Sequence, residues 1–100
     1  MTKLKIWVDD VRPAPNGYYW CKTVDSVKRL LCDAHITNCY DIAVIDLDHD
    51  AGDYGPPDYI KILDWLEETS RRYPIHIHSM NPVGVANMRA IIQKNGWQEV

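Results

Sequence analysis

The chain has 100 residues, of which 46% are hydrophobic and 25% are charged, and this composition is typical of one small globular domain over residues 1–100. Its net charge of -3 excludes the strongly basic surface that duplex DNA requires, and no apolar run is long enough to span a membrane. The three cysteines have no metal-ligand or redox spacing, and the first residues lack the apolar core of a signal peptide, so we expect a reducing, cytoplasmic setting.

The first part of the chain contains two strand patterns followed by a helical one. Leu4 to Val8 predicts a short strand, and the prolines that follow it indicate a loop where a first helix would otherwise stand. Tyr18 to Val24 is rich in β-forming residues and predicts an edge strand. The next apolar residues recur every three or four positions, which indicates a helix capped by Asp25 or Ser26.

The middle of the chain, from Asp41 to Asp50, combines an apolar strand with an acidic end. Ile42 to Ile45 are four apolar residues in succession, a pattern typical of a central strand that is covered on both faces. Ligands of open α/β sheets usually bind beyond the carboxyl ends of such strands. The polar residues at this end are Asp46, Asp48, His49 and Asp50.

The last part of the chain predicts two helices around a strand. The first helix begins near Asp58, and Pro74 prevents it from continuing into the strand Ile75 to His78. Asn81 is a favourable N-cap, and Pro82 is suited to the first turn of the final helix.

A glycine and a final apolar segment end the chain. Gly96 predicts the end of the last helix, and Trp97 to Val100 predicts a fifth strand. The whole alternation predicts an α/β, flavodoxin-like or receiver-like three-layer domain with a five-stranded, mostly parallel sheet of order 2-1-3-4-5. In this order the first and third strands are neighbours, so the acidic residues that follow them are expected to meet.

Those acidic residues form a candidate site for Mg²⁺ or Mn²⁺, since both cations bind carboxylate oxygens and retain waters that a phosphate can displace. The alternative is a set of capping and turn aspartates, some of them held by Arg12. The candidate metal ligands are Asp9, Asp10, Asp46, Asp48 and Asp50.

Two histidines, His49 and His78, follow predicted central strands. A histidine can remove a proton from water or protonate a leaving alkoxide, and opening a cyclic phosphodiester requires both steps; a purely structural role is the alternative. Arg12 is either a counter-ion of the acidic pair or a bidentate phosphate clamp.

Three further polar residues are candidates for binding phosphate oxygens. Ser79 and Asn81 precede the last helix, where free backbone N–H groups also attract anions, although Asn81 could serve only as a cap. Asn87 lies about two turns into that helix and either reaches back toward the site or faces water.

The positions of these residues resemble the response-regulator receiver domain. An acidic pair follows the first strand, Asp46 stands at the phosphoacceptor position, and Ser79 occupies the hydroxyl position. The lysine that closes the receiver site after the fifth strand has no counterpart in this chain. This departure argues against ordinary phosphorelay signalling.

A more specific resemblance covers nearly the whole chain and is to the cyclic-phosphate-processing receiver domains. It is carried by Trp7 to Pro15, by Leu47 to Asp50, and by His78 to Gly84 with Asn87-Met88 after them. Ala51-Gly52 replaces the Leu-Gly that usually follows the Asp-His-Asp of the family.

This second resemblance implies a phosphoesterase that hydrolyses a cyclic phosphate ester of a nucleotide or an RNA end with the help of Mg²⁺ or Mn²⁺. Its catalytic residues would be His49, His78 and Asp48. Two other functions stay open, namely a binder of cyclic nucleotides that does not hydrolyse them and a phospho-accepting module.

Overall fold

The computed structural model describes residues 2–37, 40–48 and 58–100. The elements in chain order are β1 (Thr2–Val8), β2 (Tyr18–Cys21), α1 (Val24–Thr37), β3 (Tyr40–Leu47), α2 (Ile60–Glu68), β4 (Ile75–Ile77) and α3 (Pro82–Asn95). This is an α/β fold with the predicted alternation of strands and helices.

The strands form one parallel sheet in the order β2-β1-β3-β4, which confirms the predicted order of these four strands. The predicted fifth strand is not formed. The end of the chain lies beside β4, where Ile75 donates to the carbonyl of Gln98 and Val100 donates to the carbonyl of Ile75. These bonds produce an isolated bridge between Ile75 and Glu99, which is too short to count as a strand.

The core lies on one face of the sheet. Side chains alternate along a strand, so Ile6 and Val8 of β1 share this face with Ile45 and Leu47 of β3. All four are fully buried. The residues that α1, α2 and α3 contribute to the same cluster are Val24, Val27, Leu31, Ile62, Leu63, Leu66, Met88 and Ile92. The three helices therefore form a single layer against this face.

The opposite face of the sheet differs from the predicted three-layer arrangement. Its side chains include Lys5 and Trp7 of β1, and no helix of the described residues contributes to a core there. The connection between β1 and β2 contains Pro13 and Pro15, which lack backbone donors, and it forms no helix. We refer to this surface, which carries Lys5, Trp7, Tyr18, Trp20, Val44 and His76, as the open face.

Local hydrogen bonds determine where the helices begin and end. The cap of α1 is Thr23, whose hydroxyl accepts from the Ser26 amide, while the Ser26 hydroxyl accepts from the Thr23 amide. The prediction of Asp25 or Ser26 as the cap was therefore wrong, because a reciprocal Thr-Ser box forms one turn earlier. The predicted ends of α3 are confirmed, since Asn81 accepts from the Gly84 amide and Gly96 adopts a left-handed φ of 65°. None of the described helices has both the length and the apolar character needed to cross a bilayer.

Candidate functional site

The candidate site lies at the carboxyl ends of β1, β3 and β4, where backbone hydrogen bonds continue beyond the strands. The Asp48 amide donates to the Val8 carbonyl at 3.0 Å, and the His78 amide donates to the Leu47 carbonyl at 3.0 Å. These bonds hold the residues after three separate strands against one another. The predicted meeting of the first and third strands is therefore observed, and β4 adds His78 to the same place.

Three carboxylates form the acidic cluster of the site, namely Asp9, Asp10 and Asp48. One oxygen from each residue lies within 4.8 Å of the others, and Asp9 is buried. Carboxylates this close repel one another unless a cation or a hydrogen-bond donor compensates their charge. Three hard oxygen donors at one point suit Mg²⁺ or Mn²⁺, so this donor set fits a divalent cation.

Asp46 is placed differently from the other acidic residues. Its side chain is buried on the strand itself, and one oxygen contacts His78 Nδ1 at 2.6 Å. The strand ends at Leu47, and the carboxylate of Asp48, directly after it, belongs to the acidic cluster. The structure therefore separates Asp46, which contacts the histidine, from the three carboxylates that could hold a cation.

His78 connects two of these carboxylates. Its Nδ1 lies 2.6 Å from Asp46 Oδ1, and its Nε2 lies 2.9 Å from Asp9 Oδ2. An ionised carboxylate only accepts hydrogen bonds, so both ring nitrogens carry a proton when both aspartates are ionised. Contacts with two carboxylates favour the imidazolium form of His78, whose side chain is 10% exposed.

Two tryptophans support this arrangement, a positioning role that the sequence alone did not indicate for either of them. The Trp7 ring stacks on the His78 ring with their centroids 3.9 Å apart and an interplanar angle of 2°. The Trp20 indole donates to the Asp9 carbonyl at 2.7 Å. The signal was available, because Trp7 stands two residues before Asp9, and residues two apart on a strand share a face.

The loop after β1 is organised by the side chain of Asp9. Its Oδ1 accepts from the amides of Val11 at 2.9 Å and Arg12 at 3.0 Å. Arg12 then reaches across the site and donates to the His78 carbonyl at 3.2 Å. Among the described residues Arg12 forms no ion pair with a carboxylate, so the structure does not support the counter-ion interpretation of this residue.

The hydrogen bonds shift the pKa values of the central pair in opposite directions. Burial alone would lower the pKa of His78, but the hydrogen bonds and charges of Asp46 and Asp9 outweigh it and raise that pKa above 6.5. Burial alone would raise the pKa of Asp9, but donation by Arg12, Val11 and His78 lowers it below 3.8. Both groups therefore favour their charged forms in the folded protein.

These shifts predict how the stability of the metal-free protein depends on pH. The contribution of His78 is fully present below pH 6.5 and is lost as the pH rises through its higher folded-state pKa. The contribution of Asp9 is present above pH 3.8 and is lost as the pH falls through its lower folded-state pKa. Urea unfolding in EDTA should therefore give a decline in stability above pH 6.5 that is absent from His78→Leu. An equal decline in this variant would contradict the assignment.

Of the other candidate residues, two lie on the loop after His78, one lies on α3, and two lie outside the described residues. The Ser79 hydroxyl accepts from the Asn81 amide at 3.1 Å, and the Asn81 side chain caps α3, so both residues lie directly after His78 on the loop before this helix. Asn87 is exposed on α3. His49 and Asp50 lie outside the described residues, and their predicted roles in proton transfer and metal binding stay predictions.

Comparison with known proteins agrees with this geometry. Residues 4–94 match the family model described as the cyclic-phosphate processing receiver domain. No curated protein and no solved structure matches the chain. The family model spans both the first acidic strand end and the last helix, and so includes every element of the site. The chain belongs to the family of cyclic-phosphate processing receiver domains.

Proposed function

We propose that this protein hydrolyses a cyclic phosphate ester, on a nucleotide or an RNA end, with the help of a divalent cation. One observation carries the proposal, namely the acidic cluster Asp9, Asp10 and Asp48 beside an imidazolium that both Asp9 and Asp46 hold in place. The cluster suits the cation that a phosphate ester needs, and the histidine suits the proton transfer that ring opening needs.

The three carboxylates of the acidic cluster would hold the cation. Mg²⁺ or Mn²⁺ bound there would supply positive charge to the phosphate oxygens and lower the pKa of a bound water. The loop from Asp9 to Arg12 keeps its shape through the two amides that donate to Asp9, so this ligand is oriented before any cation arrives. Such orientation reduces the cost of binding.

His78 would provide the proton for the leaving group. Hydrolysis breaks one phosphorus–oxygen bond of the ring, forms another to water, and leaves an alkoxide that must be protonated. The contacts with Asp46 and Asp9 raise the pKa of His78 and favour its protonated form, and transfer of the Nε2 proton requires the contact with Asp9 to break. The attacking water must lose a proton, and we assign that step to His49, the base predicted from the sequence.

Three groups beside the site can donate hydrogen bonds to phosphate oxygens. Ser79 uses its oxygen to accept from Asn81, which leaves its own hydroxyl proton to donate. Asn81 uses its carbonyl oxygen for the cap, which leaves its amide group to donate. Arg12 makes one described hydrogen bond through its side chain and keeps further N–H groups for a phosphate.

The geometry supports a phospho-accepting role less well. The carboxylate at the phosphoacceptor position, Asp46, is 6% exposed and already bonded to His78. Attack on a phosphodonor would require this contact to break and the side chain to become accessible. A small phosphodonor is therefore expected to leave the protein unlabelled, and stable labelling that Asp46→Asn abolishes would favour the receiver function instead.

The proposed hydrolysis can be tested directly by mass spectrometry. We expect the wild-type protein to convert a 2′,3′-cyclic mononucleotide or a cyclic dinucleotide into a linear product with Mg²⁺ or Mn²⁺ and not with EDTA. Product formation should also disappear in His49→Ala, while Asp64→Asn, an exposed position on α2, serves as a matched surface control. If the ligand is recovered intact but bound to the protein, the enzyme hypothesis fails and the binder function replaces it.

A further inference from the structure

The open face of the sheet continues directly into the candidate site. Trp7 and Tyr18 lie on this face and contact each other edge to face, with centroids 5.9 Å apart. Trp7 also stacks on His78, and Trp20, which pairs with Trp7 across the strands, bonds to Asp9. We propose that the open face binds single-stranded RNA and directs its end into the site. This inference rests on the proposed function and names its substrate class.

Two lysines accompany the aromatic rings of this face, which also carries the carboxylates of Asp41 and Asp46 from β3. The Lys5 ammonium lies 5.5 Å from the centre of the Tyr18 ring, and the Lys22 ammonium lies 4.5 Å from the centre of the Trp20 ring. Neither lysine, nor Arg12 beside them, forms an ion pair with a carboxylate of the described chain. On the helical side, Lys61 and Lys94 are paired with acidic residues, whereas Lys28 lies over the Trp65 ring.

This combination of aromatic rings and ammonium groups matches the bases and phosphates of single-stranded RNA. A base can stack on an aromatic ring whatever its sequence, and a neighbouring ammonium can bind the phosphate that follows. The open face provides two such pairs, Lys5 with Tyr18 and Lys22 with Trp20. Tyr18 and Trp20 are partly exposed and lie on the same side of β2. Duplex RNA hides its base faces and could not use these rings.

The position of the candidate site explains why single-stranded RNA would enter the site by one of its ends. His78 contacts both Asp9 and Trp7, so a base on the open face lies next to the groups proposed to act on phosphate. Single-stranded RNA that crosses the β-sheet from Tyr18 toward Trp7 would therefore bring its terminal phosphate to the acidic cluster. A protein surface would be a poorer occupant, because the unpaired ammonium groups would need carboxylate partners on burial.

Fluorescence anisotropy with a labelled RNA tests this proposal without any need for turnover. The probe is a single strand of about ten nucleotides with a 3′-hydroxyl, within the roughly 4–16 nucleotides that one small domain can cover. Binding is measured in EDTA at several salt concentrations. We expect Lys5→Glu and Tyr18→Ala each to weaken binding by about tenfold, and Lys5→Gln to reduce the salt dependence by about 0.7 of one counter-ion.

A matched control and three contrary outcomes complete the experiment. Lys94→Glu makes the same charge change on α3, away from the open face, and should leave RNA affinity within about twofold. Absence of binding by the wild-type protein, or equal losses in Lys94→Glu and Lys5→Glu, would overturn the proposal. So would self-association, measured by sedimentation, that Lys5→Glu disrupts in a protein that binds no RNA. Because the probe carries no cyclic phosphate, failure here leaves the hydrolysis assay on mononucleotides unaffected.

Discussion

Replacing Asp48 with asparagine is expected to weaken Mg²⁺ or Mn²⁺ binding by at least about 100-fold, because loss of even an outer-shell partner costs about 10- to 100-fold. Asp48 contributes one of the three oxygens that lie within 4.8 Å of one another, and an amide oxygen carries no negative charge. Calorimetric titration of the metal-free protein with each cation measures this loss. Hydrolysis of the cyclic substrate should fall with it.

Two comparisons distinguish loss of a metal ligand from general damage. Asp41→Asn changes an exposed carboxylate at the start of the same strand and should leave the affinity for the cation unchanged. In EDTA, urea unfolding of Asp48→Asn shows whether the variant remains folded, so that loss of cation affinity can be separated from loss of structure. Unchanged cation affinity in Asp48→Asn would refute the assignment of the cluster.

Replacing His78 with leucine is expected to destabilise the metal-free protein by about 3–5 kcal/mol at pH 6, the usual cost of breaking a buried ion pair. The substitution leaves the carboxylates of Asp9 and Asp46 close together without the cation between them, and they are 1% and 6% exposed. It also removes the ring on which Trp7 stacks. Urea unfolding in EDTA measures the difference in the free energy of unfolding.

The same measurement has an internal control on β4. His76→Leu replaces an exposed histidine two residues earlier, whose Nδ1 contacts the Val100 carbonyl, and should cost less than about 1 kcal/mol. Adding Asp46→Asn to His78→Leu should recover part of the stability, because one of the two unpaired charges is removed. If His78→Leu and His76→Leu have equal effects, His78 does not hold the two carboxylates together.

Much of the fold could be predicted from the order of apolar and polar residues. Ile42 to Ile45 indicated the central strand, and the alternation of strands and helices gave the order of the four strands that are observed. Asn81 and Gly96 marked the ends of α3 through their own hydrogen bonds and backbone conformation. The apolar run of the central strand and the two ends of α3 are local features, since each depends on residues within a few positions of one another.

The fifth strand and the third layer are not observed in the described part of the chain, for a reason that is not local. A pattern of β-forming residues at Trp97 to Val100 indicates that a strand is possible, but its formation depends on how far it pairs with β4. Only Ile75 and Glu99 form a bridge. Likewise, the sequence showed that prolines interrupt the first connection, but it did not show that the described helices would all cover one face.

For the site, the sequence by itself determined which chemical groups are present and that they follow neighbouring strands. Parallel strands end at the same edge of a sheet, so Asp9, Asp10 and Asp48 could be expected to meet there. Only the tertiary structure decided which carboxylates form the acidic cluster and which one contacts the histidine alone. Asp46 contacts His78, whereas Asp48 lies with Asp9 and Asp10 in the acidic cluster. These contacts join side chains from residues far apart in the chain, over distances from 2.6 Å to 4.8 Å. Only the packed fold brings such side chains together.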